Sequence, residues 1–394
     1  MRTPPFFCIF AARIFNWISM DNFIVSARKY RPTTFSSVVG QEAITSTLKN
    51  AIQTGQVAQA FLFCGPRGVG KTTCARIFAK ALNCQNPTPD HEPCNECESC
   101  KAFNNSASFN VFELDAASNN SVEDIRALVE QVHIPPQGAK YKVYIIDEVH
   151  MLSGAAFNAF LKTLEEPPAY AKFIMATTEK HKIIPTILSR CQVYDFKRIH
   201  ERDIVKHLQY VAKQEGVTAE EEALRVVAEK ADGALRDALS IFDQIVSFSG
   251  KNITYKATIE NLNVLDVDNY FKITDCLFSD EVAPALLLFD DIIAKGFEAQ
   301  HFIAGLAAHF RNLLMAKTPD TVQLLETSDD IRNRLLAQSQ KVDKMLLLRA
   351  MELANQCDFN YKMANNKRLS VELCLMQINA NYVYKKARQS QERK

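Results

Sequence analysis

The phosphate-binding pattern at residues 65–72 constrains the fold of this chain more than any other feature. These residues read GPRGVGKT and fit G-x-x-x-x-G-K-[ST], a loop whose glycines let backbone N–H groups surround a phosphate chain. The apolar residues 60–64 predict a buried strand before the loop, and residues 72–83 predict a helix after it, whose N-terminus adds positive potential. The sequence therefore predicts a site for a nucleoside triphosphate.

Such a site gives its side chains definite roles. We expect Lys71 to reach the outer phosphates and the Thr72 hydroxyl to hold Mg²⁺. A glycine-rich turn that only happens to fit the pattern is the alternative, and the flanking strand and helix argue against it. The predicted phosphate-binding residues are Gly65, Pro66, Arg67, Gly68, Val69, Gly70, Lys71, Thr72 and Thr73.

Composition limits the kind of protein. The chain has 394 residues, of which 47% are hydrophobic and 23% charged, which suits a soluble globular protein of two or three domains. A formal net charge of +1 gives no general attraction to nucleic acid or membrane. Residues 1–20 loosely resemble a signal peptide, but Arg13 interrupts the apolar stretch, so we expect an unstructured extension or a true start at Met20. No transmembrane helix is predicted.

Four cysteines follow the predicted phosphate-loop helix, at Cys84, Cys94, Cys97 and Cys100. Their spacing predicts one tetrahedral Zn²⁺ with four thiolate ligands, tying the loop over residues 84–100 at its base. Four protein ligands leave no position open for water, so we expect a structural ion. A redox C-x-x-C pair, unrelated free thiols and an iron–sulfur cluster remain alternatives.

A buried strand over residues 142–147 ends in an acidic pair. Because ligands bind at the carboxyl ends of parallel strands, we expect Asp147 to hold Mg²⁺ and Glu148 to polarise the attacking water. Another strand, over residues 172–178, ends in Thr178, our candidate for holding that water or the outermost phosphate, with simple strand capping as the alternative.

The predicted strands alternate with helices over the first half of the chain. Strands at residues 60–64, 109–116, 142–147, 172–178 and 192–196 predict a five-stranded parallel sheet in a three-layer α/β domain. Three helices follow, at residues 201–214, 219–231 and 235–248, with Thr218 and Glu221 as a capping box for the second. The remainder to residue 386 is predicted to be helical, without a chemical motif, and a frayed basic tail ends the chain.

Together the motifs resemble the AAA+ clamp-loader ATPases of the bacterial DNA polymerase III gamma/tau type. The likeness covers residues 25–250 closely and is looser beyond. It is carried by the four-cysteine insertion after the phosphate-loop helix and by LDAAS at residues 114–118, DEVHML at 147–152, TLEEPP at 163–168, SRC at 189–191 and GALRDAL at 233–239.

The resemblance implies further roles and a domain plan. Arg190 would reach the nucleotide of a neighbouring subunit, and Arg236 would act as a second sensor on the nucleotide of its own chain. The implied adenine pocket comprises Arg28, Tyr30, Arg31, Pro32, Val38 and Val39. The expected domains are an extension at 1–20, an ATPase domain at 21–198, a three-helix lid at 199–262, an oligomerising collar at 263–386 and a tail at 387–394.

The resemblance also implies an activity and its partners. We expect a cytoplasmic ATPase of DNA polymerase III that uses ATP, Mg²⁺ and structural Zn²⁺. In the family, ATP binding opens a sliding clamp and hydrolysis releases it on primer–template DNA. The implied assembly is a hetero-oligomer with further copies of the chain and with delta and delta-prime subunits, without a membrane partner. The alternatives are another AAA+ DNA-processing ATPase, such as a branch-migration motor, and a non-hydrolysing scaffold subunit.

Overall fold

The computed structural model describes residues 24–262, 264–323, 325, 327 and 329–392. These residues divide into two compact units, one ending at Thr254 and the other beginning at Tyr255. The extension expected over residues 1–20 lies outside the described residues. Among the described helices, none is both long and apolar enough to cross a membrane.

The first unit is built on a parallel sheet. Its strands are β1 (Ala60–Cys64), β2 (Val111–Asp115), β3 (Lys142–Asp147), β4 (Ala171–Thr177) and β5 (Gln192–Asp195). They pair in the order β2-β3-β4-β1-β5, and every pair is parallel. The predicted five-stranded parallel sheet is confirmed. Since β4 lies between β1 and β3, the carboxyl end of β4 lies between the ends of the strands that carry the phosphate loop and the acidic pair.

Helices cover both faces of this sheet. On one face lie α2 (Glu42–Thr54) and α3 (Lys71–Leu82), and on the other α5 (Val122–Val132), α6 (Gly154–Glu165) and α7 (Pro185–Leu188). Two shorter helices, α1 (Ser26–Lys29) and α4 (Glu98–Asn104), pack on other helices. Short 3₁₀ turns lie at Phe35–Ser37, Val149–Met151 and Lys180–Lys182.

Successive side chains of β1 enter two different cores, because side chains alternate across a strand. Phe61 and Phe63 pack with residues of α2 and α3, whereas Leu62 and Cys64 pack with residues of α5 and α6. Full burial of one phenylalanine stabilises the fold by roughly 1.5–3 kcal/mol. A strand buried on both faces needs an unbroken apolar run, which is what residues 60–64 provide.

Three further helices complete the first unit: α8 (Glu201–Glu215), α9 (Glu221–Lys230) and α10 (Leu235–Ser249). The predicted capping box for α9 is wrong. Thr218 and Ala219 form a short strand, β6, that pairs with β7 (Asn252–Ile253). The N-cap of α9 is Glu220, without a side-chain hydrogen bond. Thr218 followed by Glu221 matches the sequence pattern of a capping box. Backbone pairing with β7 instead determines the conformation of Thr218 and Ala219.

The second unit is helical throughout its described residues, as predicted. Its helices are α11 (Tyr255–Leu262), α12 (Val267–Leu277), α13 (Ala283–Ala294), α14 (Ala299–Ala316), α15 (Pro319–Val322), α16 (Asp329–Lys341), α17 (Lys344–Tyr361) and α18 (Lys367–Glu392). One core holds Phe289, Phe302, Phe310 and Leu347 fully buried. The predicted frayed tail is wrong for residues 387–392, because α18 continues to Glu392.

Candidate nucleotide site and cysteine cluster

A cleft of about 700 Å³ in the first unit brings together the phosphate loop, the acidic pair and the lid helices. Its volume lies in the range that small ligands occupy in proteins. The predicted site residues that line it are Arg28, Tyr30, Arg31, Pro32, Val38, Val39, Arg67, Gly68, Val69, Gly70, Lys71, Thr72, Thr73, Asp147, Glu148 and Arg236. Lining residues that the sequence did not single out include Val25, Asp115, Ile199, Leu235 and Leu239.

The phosphate loop holds Lys71 at its centre. The Lys71 Nζ atom donates hydrogen bonds to the carbonyl oxygens of Gly65 at 2.8 Å and Pro66 at 2.7 Å. Burial lowers the pKa of this ammonium, and the charges of Glu148 and Asp147 oppose that shift. A buried ammonium whose neighbours are mostly neutral carbonyls is well placed to bind an anion.

Two glycines of the loop leave no room for a side chain. Gly65 has φ +145°, and a Cβ there would lie 2.5 Å from the carbonyl oxygen of Phe196. Gly68 has φ +77°, and a Cβ there would lie 2.9 Å from the Cβ of Ala234 beside α10. Both angles belong to the region that favours glycine. The loop is therefore packed closely against β5 and the lid.

Thr72 and Asp147 place two oxygen ligands side by side. The Thr72 hydroxyl, in the first turn of α3, donates to Asp147 Oδ2 at 2.7 Å, and the other carboxylate oxygen accepts the Glu148 N–H at 3.0 Å. Mg²⁺ is bound in proteins by such hard oxygen ligands together with phosphate oxygens. The donor set fits Mg²⁺.

Glu148 adopts an unusual backbone conformation for a residue with a side chain, with φ +47°. Such conformations cost about 1–3 kcal/mol and cluster at functional sites. Its carboxylate accepts hydrogen bonds from the Thr178 hydroxyl at 3.1 Å and the Thr178 N–H at 3.3 Å. Glu148, the candidate for polarising the water, and Thr178, the candidate for holding that water or the outermost phosphate, are thus in direct contact.

Sequence reasoning gave no role to His150, which is buried behind Glu148. Its Nδ1 atom lies 3.0 Å from the Thr177 hydroxyl and 3.4 Å from the Glu148 carboxylate, and its Nε2 atom lies 3.5 Å from Glu179. The imidazole therefore connects the turn after β3 with the turn after β4. The only signal in the sequence was that His150 follows Asp147 by three residues. The local sequence does not indicate that the imidazole contacts residues 177–179.

Arg236 and Arg190 occupy different surroundings. Arg236 lines the cleft at the start of α10, and its backbone N–H donates a hydrogen bond to the Gly68 carbonyl at 3.4 Å. Arg190 is not among the lining residues: its guanidinium pairs with Glu165 at 2.8 Å and donates to the Thr186 carbonyl at 2.7 Å. The structure does not bring Arg190 to the cleft of its own chain.

The lead-in segment, residues 25–39, forms the other end of the cleft and is fastened to the lid. The Ser26 N–H donates to Asp243 on α10 at 2.7 Å, and Lys29 pairs with Glu215 on α8 at 2.7 Å. The Tyr30 hydroxyl also donates to Glu215. Burial and this carboxylate raise the pKa of Tyr30 to about 12. The segment is therefore attached to the lid by two acidic side chains.

The four cysteines form one cluster, and all their sulfur atoms lie within 4.8 Å of one another. Cys94 Sγ is 3.5 Å from Cys84 Sγ and 3.9 Å from Cys100 Sγ, whereas a tetrahedral ion with 2.3 Å bonds would separate its sulfurs by about 3.8 Å. The N–H of Cys94 donates to Cys84 Sγ and that of Cys97 to Cys94 Sγ.

Hydrogen bonds lower the pKa of two of these thiols, Cys94 and Cys97, whereas burial raises the pKa of Cys84 and Cys100. Burial opposes ionisation of Cys94, but N–H groups of Cys97 and Glu96 outweigh it and lower the pKa of this thiol to about 6. Zn²⁺ binds the thiolate form. The spacing and the sulfur positions therefore fit one structural zinc ion, and the hydrogen bonds to Cys94 and Cys97 favour the thiolate form at those two ligands.

Three family models match the chain in succession. They are described as the DNA polymerase III delta subunit over residues 40–200, the ATPase lid domain of the DNA polymerase III clamp loader subunit over residues 203–251, and domain III of the DNA polymerase III subunits gamma and tau over residues 254–390.

Curated relatives carry matching names. DNA polymerase III subunit tau of Bacillus subtilis is 40% identical over 351 residues, which are 89% of this chain and 62% of that protein. DNA polymerase III subunit gamma of Buchnera aphidicola subsp. Schizaphis graminum is 34% identical over 358 residues, which are 90% of this chain and 98% of that protein. The chain thus spans about three fifths of the tau relative and nearly all of the gamma relative.

Among solved structures, one match is the Thermotoga maritima RuvB Holliday junction branch migration motor, with 18% sequence identity and a TM-score of 0.46. The matched region is 63% of this chain and 79% of the RuvB chain. A likeness of this strength carries no conclusion about function.

Proposed function

Because the chain belongs to the gamma/tau family of DNA polymerase III subunits, we propose that it is an ATP-hydrolysing motor subunit of a clamp loader. The observation that carries the proposal is the completeness of the hydrolytic set. Lys71, the Thr72–Asp147 pair and the Glu148–Thr178 pair all lie at the carboxyl ends of β1, β3 and β4. A subunit that only supports the assembly has no use for this arrangement.

The residues divide the reaction between binding and chemistry. Lys71 exchanges its hydrogen bonds with the Gly65 and Pro66 carbonyls for bonds to the outer phosphates of ATP. Thr72 and Asp147 would hold Mg²⁺, which would supply neutralisation of the charge on the phosphates. Glu148 orients and polarises the attacking water, and Thr178 sets the direction of the Glu148 carboxylate.

Arg190 completes the site of a neighbouring subunit in this proposal. It is exposed on α7's C-terminal side, away from the cleft of its own chain, and a surface ion pair with Glu165 costs little to break. An arginine supplied to the developing charge on the phosphoryl group from outside can be worth on the order of 10³ to 10⁵ in rate. Arg236 lies at the cleft of its own chain and is assigned to its own nucleotide.

Hydrolysis then resets an assembly that ATP favours. ATP bound between subunits contributes contacts that exist in one arrangement only, so it shifts the population toward that arrangement. The proposed assembly contains further copies of this chain with delta and delta-prime subunits in the cytoplasm, and acts on a sliding clamp and primer–template DNA. Within it, residues 21–198 act as the ATPase domain, 199–262 as the lid and 263–386 as the collar.

The test is the rate of ATP hydrolysis by the chain alone and with partner subunits, clamp and primed DNA. We expect the complete mixture to stimulate hydrolysis, and stimulation to disappear with Lys71→Ala. Hydrolysis that no combination stimulates would contradict clamp loading. Stimulation by branched DNA without clamp would favour a branch-migration motor instead, and absence of hydrolysis in every mixture would favour a scaffold subunit.

A further inference from the structure

Glu92 is a buried carboxylate in the cysteine loop, defined as residues 84–100. Its burial is not accounted for by a contact with the sulfur atoms of the cluster or with the phosphate loop. The residue is 7% exposed. Its Oε2 atom accepts the Phe35 N–H at 2.7 Å, and its Oε1 atom accepts the Ser36 N–H at 2.9 Å. Lys49 on α2 pairs with Oε1 at 2.6 Å. One carboxylate of the loop therefore fastens two other parts of the chain.

The part it fastens leads directly to the cleft. Phe35 and Ser36 belong to the 3₁₀ turn that precedes Val38 and Val39, and both valines line the cleft. The Val38 N–H donates back to the Phe35 carbonyl at 3.2 Å, so the turn is hydrogen-bonded directly to one residue of the cleft wall. Hydrogen bonds from N–H groups to a carboxylate are roughly twice as strong as those to neutral acceptors.

The other side of Glu92 is held by the cluster. The Glu92 carbonyl accepts the Thr88 N–H at 3.0 Å, and the Glu92 N–H donates to the Thr88 hydroxyl at 3.1 Å. Two residues further on, the Cys94 N–H donates to Cys84 Sγ at 3.3 Å. The backbone of Glu92 is thus held by hydrogen bonds within the cysteine loop, whose two ends meet at the four sulfur atoms.

We propose that Glu92 is a positioning residue through which the cysteine loop holds Val38 and Val39 in the base-side wall of the cleft. This wall is defined as Arg28, Tyr30, Arg31, Pro32, Val38 and Val39. The wall contacts the base and the ribose, whereas the phosphate loop contacts the phosphates. The loop then contributes to affinity for the nucleoside part of the ligand without touching it. This inference rests on the proposed nucleotide site and adds to it a role for the cysteine loop.

The experiment compares two ligands that share a triphosphate group, of which only one also carries a base and a ribose. Binding of ATP and of inorganic tripolyphosphate to the full chain is measured by calorimetry for the parent and for Glu92→Gln. A glutamine has one acceptor oxygen for the two N–H groups, so we expect ATP to bind about tenfold more weakly. The affinity for tripolyphosphate is expected to stay unchanged. Glu96→Gln, at an exposed carboxylate of the same loop, is the matched control and should bind both ligands as the parent does.

Removal of the metal gives a second arm. Stripping zinc with a chelator, with release followed by elemental analysis, should weaken ATP binding and leave tripolyphosphate binding unchanged, as Glu92→Gln does. Should Glu92→Gln fail to fold, Glu92→Asp keeps the charge, shortens the reach and provides the same comparison.

The outcomes separate this inference from the proposed function. Equal loss of both ligands, or unchanged ATP binding in Glu92→Gln and in the chelated protein, would overturn the role of Glu92. A parent chain that binds neither ATP nor tripolyphosphate would instead overturn the nucleotide site itself.

Discussion

The two ends of the cleft are built by different means. At the phosphate end, charged and hydroxyl side chains from the strand ends meet directly, as Thr72 and Asp147 do. At the base end, the lead-in segment is held from behind by Glu92, Glu215 and Asp243. The phosphate end therefore depends on residues that act on the ligand, and the base end on residues that act on the backbone. Substitutions at the first end should therefore alter phosphate binding or hydrolysis, and substitutions at the second should alter affinity for the base and the ribose.

The largest expected effect belongs to Arg190, which lies at neither end of its own cleft. Arg190→Ala should lower hydrolysis in the assembled complex by about 10³ to 10⁵, while the isolated chain binds ATP as before. Mixing Arg190→Ala subunits with Lys71→Ala subunits should restore part of the activity. In some mixed assemblies an intact phosphate loop then stands beside an intact arginine. Activity that stays at the level of each mutant alone would place the arginine in its own site.

Glu148→Gln tests the chemistry of the phosphate end. Loss of the water-polarising carboxylate should lower turnover by about 10² to 10⁴, while ATP affinity changes little because Glu148 faces the water. Single-turnover hydrolysis and equilibrium binding measure the two quantities. Glu166→Gln, at an exposed carboxylate after α6, is the control. Normal hydrolysis in Glu148→Gln would remove Glu148 from the reaction.

Lys71→Ala tests binding at the same end. Hydrogen bonds to charged groups are worth about 1.5–3 kcal/mol, so affinity should fall roughly 10- to 150-fold. The loss should be equal for ATP and tripolyphosphate, because in the proposed site Lys71 binds the phosphates and not the base or the ribose. Competition binding with both ligands provides the measurement. A loss confined to ATP would mean that the two ends of the cleft are not separable.

Glu215→Gln tests the base end and should have the smallest effect. Hydrogen bonds from Lys29 and Tyr30 lower the pKa of the Glu215 carboxyl below its ordinary 4.5. The ionised carboxylate therefore stabilises the fold fully above the unfolded pKa, and this contribution is lost as pH falls through the lower folded value. We expect a few-fold weaker ATP binding, and a melting-temperature difference from the parent that stays constant from pH 7 to about pH 5 and shrinks below pH 4.5. A difference that grows on acidification would contradict the assignment.

Local sequence predicted what depends on local patterns. The strands at residues 60–64 and 142–147 were predicted from unbroken apolar runs. Both strands are buried on their two faces, which is why their sequences contain no alternating polar residues. The phosphate loop was predicted because its glycines and lysine act within eight residues of one another. The parallel sheet followed from alternation of strands and helices.

Contacts between distant residues were not predictable in the same way. Glu92 meets Phe35 across 57 positions and Glu215 meets Tyr30 across 185, and no local pattern marks either partner. The position of β4 between β1 and β3 likewise depends on strand pairing across the whole domain. Thr218 shows the converse, since a good local cap was replaced by pairing with β7.

The close approach of Gly68 and Ala234 has a consequence for how such a chain changes over generations. A Cβ on Gly68 would meet the Cβ of Ala234 at 2.9 Å, so the two smallest side-chain types already fill this space. A side chain at residue 68 would therefore require Ala234 to become glycine or to move. The phosphate loop and the lid therefore share one steric limit, and mutational drift in either is restricted by the other.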